Sequence, residues 1–406
     1  MFYRAFPIKE KIIAYYYLCI YLYSQHTVAH YIVKNSNFEI WMLVNLLLAF
    51  VLFIIIIFFI RKYEVFTNDS FDIASLSLIT LFLISDLYRF DIFGSIGWMT
   101  LIGLMIVLKN SSVSAMRIFF NTYIVVISGI GVYVLFYMLL ILSGVKSSLD
   151  LPSMPFNDVM LHYDSFKEVF GVKLPRFVGH LQQVSLIPAY FIFPLGISLM
   201  FFDIRWRYFI IIIIFSLLSF SGSVYYLLFS SILAYIFYSF IRKFKFIIPG
   251  SILVLFLILA YSVALYNDFA ISPGWNYDDN FVIRGSSGMS RLAIMGRGIH
   301  EFLESPLLGF VKDNDNINLY LLGSLVHSSA VRVGMLGLFF IISMYYLVIV
   351  RLLRFKVASF KEKVGVSIVY SSLIMMMSFQ DYGFSSIQGY FMIFMLVRLL
   401  NNRVNI

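Results

Sequence analysis

Two stretches of the chain carry cationic and histidine side chains of the kind that act on anionic substrates. A guanidinium binds a phosphate through parallel N–H donors, and imidazole is the side chain best suited to moving protons near neutral pH. Together these groups predict an anionic, phosphate-bearing substrate held at a membrane face. The six candidates are Arg176, His180, Arg284, Arg291, His327 and Arg332.

The later stretch predicts a short amphipathic helix over about residues 291–304, with Ser290 as its N-cap. At 100° per residue its apolar side chains share one face, while Arg297 and His300 fall on the opposite face, which is typical of a solvated surface. Arg291 lies at the edge of the apolar face and is directed toward the membrane domain. An unpaired charge there is costly, so Arg291 needs an anionic partner, either the substrate or a nearby Asp or Glu.

His327 lies about where this loop re-enters the membrane, as either a structural hydrogen-bond donor or a general base. Arg332 follows five residues later inside an apolar run, and a cation inside a membrane segment is a functional candidate by default. In the earlier stretch, Arg176 is either a phosphate ligand or a charge at the level of the lipid headgroups. The span that follows it contains Pro188 and Pro194, which are expected to kink or break the helix.

Metal-binding patterns are weak in this sequence. Asp313 and Asp315 resemble the D-x-D motif of nucleotide-sugar transferases, and residues 278–279 are adjacent acids that could bind a hard cation. In an outer loop, ordinary surface acids are the favoured interpretation. His26 and His30 lie one helical turn apart in the first apolar run, but two ligands do not specify a metal site. We therefore expect no metal ion and no cofactor.

The composition places these candidates in a membrane protein. The chain has 406 residues, of which 61% are hydrophobic, 19% aromatic and 13% charged, with a mean hydropathy of +0.91. These values are typical of polytopic helical membrane proteins. The single cysteine, Cys19, excludes a disulfide framework within the chain.

Apolar runs predict an all-α polytopic protein of about twelve transmembrane helices, forming a single integral membrane domain over residues 1–406. The run 207–242 is too long for one span and is predicted to be a hairpin of two short helices with its turn near residues 219–223. Two outer loops are long, over about 143–183 and 267–327. The other runs lie at about 12–33, 40–60, 71–89, 92–108, 118–142, 184–202, 246–266, 330–350, 364–380 and 384–399.

The charge distribution gives the orientation. With both termini in the cytoplasm, roughly 19 of the 30 Lys and Arg residues lie in cytoplasmic segments, as the positive-inside rule requires. The net charge of +9 is therefore a topology signal, and nucleic-acid binding is not expected. Both long loops then lie on the outer side of the membrane.

The order of motifs in the later stretch resembles a known family. Arg291, Pro306-Leu-Leu-Gly309, His327 and Gly334-x-x-Gly337 are similar to the signature of the O-antigen polymerase and O-antigen ligase superfamily. Its members commonly show an arginine, a P-[LI]-x-G element, a histidine and a G-[LIM]-x-G element that opens the next span.

Two further stretches resemble this family. Arg176-x-x-Gly179 is similar to the arginine motif of the family's first large periplasmic loop, and Ser219-Phe-Ser-Gly-Ser223 is similar to its serine-rich turn between two short helices. One departure is that many members carry an arginine at this turn, whereas here Val224 and Tyr225 follow. The departure shifts diphosphate binding onto Arg176, Arg284 and Arg291, and it favours a polymerase over a ligase.

The resemblance implies a membrane glycosyltransferase of GT-C-like architecture in the bacterial inner membrane. It would join lipid-linked oligosaccharide repeat units at the periplasmic face, without a metal, using an undecaprenyl-diphosphate donor. Arg291 would stabilise the departing diphosphate and His327 would act on the acceptor hydroxyl, with His180 and Arg332 also at the substrate. Membrane lipids, a chain-length regulator and a flippase of the same pathway are the implied partners. The alternatives are an O-antigen ligase that transfers the glycan to lipid A core, and a flippase or other transporter.

Overall fold

The computed structural model describes residues 7–23, 47–52, 54–56, 69–88, 92–143, 162–169, 172–179, 186–239, 306–307, 309, 325–378 and 387–404. Ten helices longer than eight residues can be named within these ranges. They are α1 (Ile8–Tyr23), α2 (Ser70–Tyr88), α3 (Ile92–Asn110), α4 (Val113–Leu142), α5 (Phe193–Phe201), α6 (Trp206–Leu218), α7 (Gly222–Ile236), α8 (Leu325–Arg354), α9 (Phe360–Ser378) and α10 (Ile387–Val404).

Three helices in the described part of the chain are long and apolar enough to cross a bilayer. They are α2, α4 and the part of α8 from Val333 to Arg354. The prediction of a helical protein with segments able to span a membrane is confirmed at this level. The predicted division of the run 207–242 into two short helices is also confirmed, because α6 and α7 are separated by a turn at residues 219–221.

The first long loop differs from the all-α prediction, since it contains two antiparallel strands. They are β1 (His162–Val169) and β2 (Val172–Gly179), paired from Val169 with Val172 to His162 with Gly179. Pro175 lies within β2, opposite Phe166. In a two-stranded sheet both strands are edges, where a proline is tolerated, so Pro175 is compatible with this pairing.

The prolines of the next span change the helical pitch without ending the helix. Residues Pro188–Ile192 form one turn of π-helix that continues directly into α5. Pro194 has no N–H to donate to the Tyr190 carbonyl four residues earlier. The Tyr123 hydroxyl donates to that carbonyl instead, at 2.6 Å. The side chains from Leu186 to Met200 are buried, so this irregular turn lies inside the bundle.

Close helix packing surrounds this turn. A Cβ at Gly365 of α9 would lie 2.7 Å from the Gly196 carbonyl oxygen of α5, and one at Gly196 would lie 2.8 Å from Ile368 Cγ2. Small residues at such a crossing let two backbones approach, which is how helices commonly associate where no water drives them together. The glycines therefore fix the distance between α5 and α9.

One end of the bundle is joined by interactions of Asp69. This residue caps α2 through the Phe71 amide, at 3.0 Å, and it also binds Arg351 at the end of α8 and Asn401 near the end of α10. Burial alone would raise the pKa of Asp69, but the Arg351 and amide hydrogen bonds lower that pKa below its usual value. The ends of three helices are thereby held together.

The same face of the bundle carries further polar contacts between helix ends. Ser112, which caps α4, donates to Glu10 of α1 at 2.7 Å. Lys361 of α9 contacts Asp203, just before α6, at 2.6 Å. The first contact joins the connection between α3 and α4 to the start of α1. The second joins the start of α9 to the connection between α5 and α6. Together with the Asp69 interactions, they gather the basic segments on one face of the bundle, which we call the basic face. Because α8 leaves this face at Arg351, its other end lies on the opposite face.

Candidate functional site

At that opposite end, the two glycine motifs of the later stretch are in direct contact. The Met335 amide donates to the Pro306 carbonyl at 2.8 Å. A Cβ at Gly334 would lie 2.3 Å from the Leu307 carbonyl oxygen and 2.8 Å from the Gly309 nitrogen. The returning loop is therefore packed, backbone against backbone, on a break inside α8.

The backbone of Gly334 explains why this break is possible. Its φ of 67° and ψ of −159° interrupt the helix, in a region that is accessible essentially to glycine alone. The break leaves the Met335 amide without a partner one turn back in α8, and the Pro306 carbonyl accepts its hydrogen. Gly309 also has a positive φ, of 80°. The two motifs thus supply the backbone freedom and the close approach that this junction needs.

Three of the six predicted site residues lie in the described part of the chain. His327 and Arg332 are in the first eight residues of α8, before Gly334, and Arg176 is in β2; their backbones are described, but not their side chains. His180, Arg284 and Arg291 lie outside the described residues, as does the predicted amphipathic helix over about 291–304. Of the six candidates, the structure therefore brings His327 and Arg332 onto one helical segment beside the loop contact.

The serine-rich turn between α6 and α7 forms a polar patch in an apolar bundle. Ser219 donates to the Ser216 carbonyl at 2.6 Å, and the Ser221 and Ser223 hydroxyl oxygens lie 2.7 Å apart. All four serines are buried. The turn is tight enough to place Phe220 at a φ of 52°. Hydroxyls can donate hydrogen bonds to an anion, but no basic side chain belongs to this turn.

A buried carboxylate that is not among the predicted site residues lies in α2. Asp86 is 1% exposed and accepts a 2.8 Å hydrogen bond from Trp98 Nε1 of α3. The Trp98 ring stacks on Phe82, with centroids 4.7 Å apart. The signal that could have found this residue is an acid near the end of an otherwise apolar run.

Asp86 lies at the same level in the bundle as the contact between Pro306–Gly309 and Gly334, which we call the glycine junction. Helices α2 and α8 contact each other, and their ends at Asp69 and Arg351 pair, so the helices are antiparallel. Asp86 follows Asp69 by 86 − 69 = 17 residues, and Gly334 precedes Arg351 by 351 − 334 = 17 residues. At about 1.5 Å per residue, both lie roughly 25 Å from the ion pair. The buried Asp86 and the break in α8 at Gly334 therefore lie at the same end of the bundle.

No metal centre is found in the part of the chain that the structure describes, where no three His, Cys, Asp or Glu residues come together. The acids at 278–279 and 313–315 and the pair His26 and His30 lie outside that part. What the described residues offer is a junction between loop and helix, a buried carboxylate and a cluster of hydroxyls. Comparison of the chain with protein-family models and with curated proteins gives no match.

Proposed function

We propose that this protein is a surface-polysaccharide polymerase of the O-antigen type, joining lipid-linked oligosaccharide repeat units at the outer face of a bacterial inner membrane. The observation that carries the proposal is the contact between Pro306–Gly309 and Gly334. Two motifs that were noted for their resemblance to one family, and that are far apart in sequence, meet through their backbones. This contact joins the segment Pro306–Gly309, which follows Arg291 in the sequence, to the helix that contains His327.

In this reaction the protein must stabilise the charge on the leaving group, accept a proton and hold the two glycans in position. A glycan on a polyprenyl diphosphate already carries its leaving group at the anomeric carbon, so neither a nucleotide nor a cofactor is needed. The acceptor hydroxyl attacks that carbon and the bond to the diphosphate breaks. Arg176, Arg284 and Arg291 stabilise the charge on the departing diphosphate, and His327 takes the proton of the acceptor hydroxyl. Holding two glycans at attack distance supplies much of the remaining acceleration.

The positions of the charged helix ends support the orientation in this proposal. The described basic ends of α3, α8 and α10 lie together, next to Asp69, Asp72 and Asn401. If this face is cytoplasmic, as the positive-inside rule requires, the glycine junction is on the periplasmic side, where the lipid-linked glycan is. In this proposed orientation, the start of α1 and the end of α10 lie on the cytoplasmic side.

The proposal is tested in a strain of the source bacterium from which the gene is deleted. The deletion should leave lipopolysaccharide with a single repeat unit, and the wild-type gene should restore the long ladder. We expect His327→Ala and Arg291→Ala to insert in the membrane at wild-type levels but to restore no ladder. Arg205→Ala is the matched control, because Arg205 is an exposed arginine on the opposite face, and it should restore the full ladder.

Other gel patterns would assign another function. Loss of all repeat units from the lipid core, single units included, would indicate a ligase. Accumulation of the lipid-linked repeat on the cytoplasmic side would indicate a flippase. Full ladders from both the His327→Ala and the Arg291→Ala proteins would show that these residues do not have the proposed roles.

A further inference from the structure

A cavity opens between α2, α3 and α10 at the basic face, at the end of the bundle opposite the glycine junction. Its volume is about 230 Å³, several times the roughly 30 Å³ that one water molecule occupies in the liquid. Its polar lining comes from Asp69, Asp72, Lys109, Arg398 and Asn401. No part of the proposed polymerase mechanism uses these residues.

Some of the charged side chains that line this cavity have an oppositely charged partner, and one does not. Asp69 is bound by Arg351 and Asn401, and Lys109 lies 3.5 Å from Asp72. Within the described part of the chain, Arg398 pairs with no carboxylate, and its buried Nε has no hydrogen-bond partner. A guanidinium left with an unsatisfied, desolvated donor is costly. Among the described residues, the cavity therefore presents one positive charge, on Arg398, that no carboxylate pairs with, and this charge fits a ligand with one negative charge.

The rest of the lining is apolar and runs into the membrane. Ile102 and Met105 of α3 and Phe394 of α10 line the same cavity as Lys109 and Arg398. From Lys109 to Ile102 is 109 − 102 = 7 residues, or roughly 10 Å along the helix. The cavity is thus a groove with a polar end at the helix termini and a hydrocarbon wall below it.

We propose that this groove binds the headgroup and upper acyl chains of an anionic glycerophospholipid from the leaflet at the basic face. The phosphodiester accepts hydrogen bonds from Arg398 and Lys109, and the acyl chains lie against Ile102, Met105 and Phe394. Basic pockets between transmembrane helices bind acidic headgroups in this way. A free phosphate would match the charge, but it would leave the apolar wall empty. The site is independent of the proposed glycan chemistry.

The test measures lipid binding to the purified full-length protein in detergent by native mass spectrometry. The probes are dioleoylphosphatidylglycerol, dioleoylphosphatidylcholine and glycerol 1-phosphate. We expect the wild-type protein to prefer phosphatidylglycerol over the other two probes. Arg398→Gln should weaken phosphatidylglycerol binding on the order of tenfold, because it removes a charge-assisted hydrogen bond.

Two further variants separate this site from general effects. Met105→Trp fills the apolar wall and leaves the charges in place, so it should also weaken phosphatidylglycerol binding; it provides the test if Arg398→Gln does not fold. Arg205→Gln, an exposed arginine outside the groove, should bind the lipid as the wild-type protein does. Equal wild-type binding of phosphatidylglycerol and phosphatidylcholine, tight binding of glycerol 1-phosphate alone, unchanged binding by both groove variants, or an equal loss in Arg205→Gln would each overturn the proposal.

Discussion

A single glycine determines whether the returning loop can pack on α8. Gly334 combines a backbone conformation reserved for glycine with a neighbour, the Leu307 carbonyl, that leaves no room for a Cβ. Either constraint alone would disfavour a substitution. Together they make this position more restrictive than the other glycines whose surroundings the structure describes.

Gly334→Ala is therefore expected to weaken the junction. The unfavourable backbone conformation alone costs about 1–3 kcal/mol, and the overlap with Leu307 adds to it. We expect a lower thermal unfolding midpoint in detergent and loss of the polysaccharide ladder. Gly129→Ala is the matched control, since a Cβ there meets nothing within 4 Å in the middle of α4, and alanine is the better helix former. Equal midpoints for the two variants would contradict the importance of the junction.

The residues of the candidate site were only partly predictable from the sequence. The family resemblance indicated that the Pro306 and Gly334 motifs belong to one signature. Sequence periodicity does not predict a contact between a loop and a helix position 25 residues later, so only the structure shows that the two motifs touch. Asp86 was missed for a different reason. One acid in a long apolar run changes the hydropathy of that run little, and its burial depends on Trp98 of another helix.

Among the described elements, α2 and α4 coincide closely with predicted apolar runs, whose length a bilayer sets. The boundaries of α2 and α4 agree with the predicted runs to within about five residues. The strands β1 and β2 were not predicted, because residues 143–183 were expected only to form a long outer loop. The π-turn before α5 was not predicted either, because a carbonyl of this turn accepts a hydrogen bond from the Tyr123 hydroxyl of another helix, and sequence pattern does not show such a contact.

The crossing of α5 and α9 gives a prediction about the order of two substitutions. A Cβ at Gly365 would meet backbone atoms of Gly196 and Met200, whereas a Cβ at Gly196 would meet side-chain atoms of Ile368 and Val369. Side chains can shift more easily than a helix backbone. We expect Gly365→Ala to destabilise the protein by about 1–3 kcal/mol and Gly196→Ala by less.

Thermal unfolding of both proteins in the same detergent checks this order, with Gly129→Ala again as the control. Because the two glycines are far from the glycine junction, any ladder that remains should be of normal length. A larger loss of stability in Gly196→Ala than in Gly365→Ala would show that the backbone approach of α5 and α9 is not the limiting contact.

For the molecule as a whole, the proposed function requires that the glycine junction and the basic face lie on opposite sides of the membrane. The segment Val333–Arg354 has 22 residues, which at about 1.5 Å per residue spans roughly 33 Å, enough to cross the hydrocarbon core of a bilayer. Leu307, packed at one end, is 72% exposed, and Ala358, just beyond the other end, is also exposed. A label at Leu307 therefore shows on which side of the membrane the glycine junction lies, and a label at Ala358 shows the same for the basic face.

Single cysteines at these positions test the arrangement. The sole native cysteine, Cys19, is exposed, so Cys19→Ser provides a tolerated background that should take up no label. In spheroplasts, a membrane-impermeant maleimide should label the Leu307→Cys protein at once and the Ala358→Cys protein only after permeabilisation, because the cations near Arg351 favour the cytoplasm. The reverse pattern would place the junction inside the cell, out of reach of any periplasmic glycan. Labelling of both proteins in intact spheroplasts would mean that α8 does not cross the membrane.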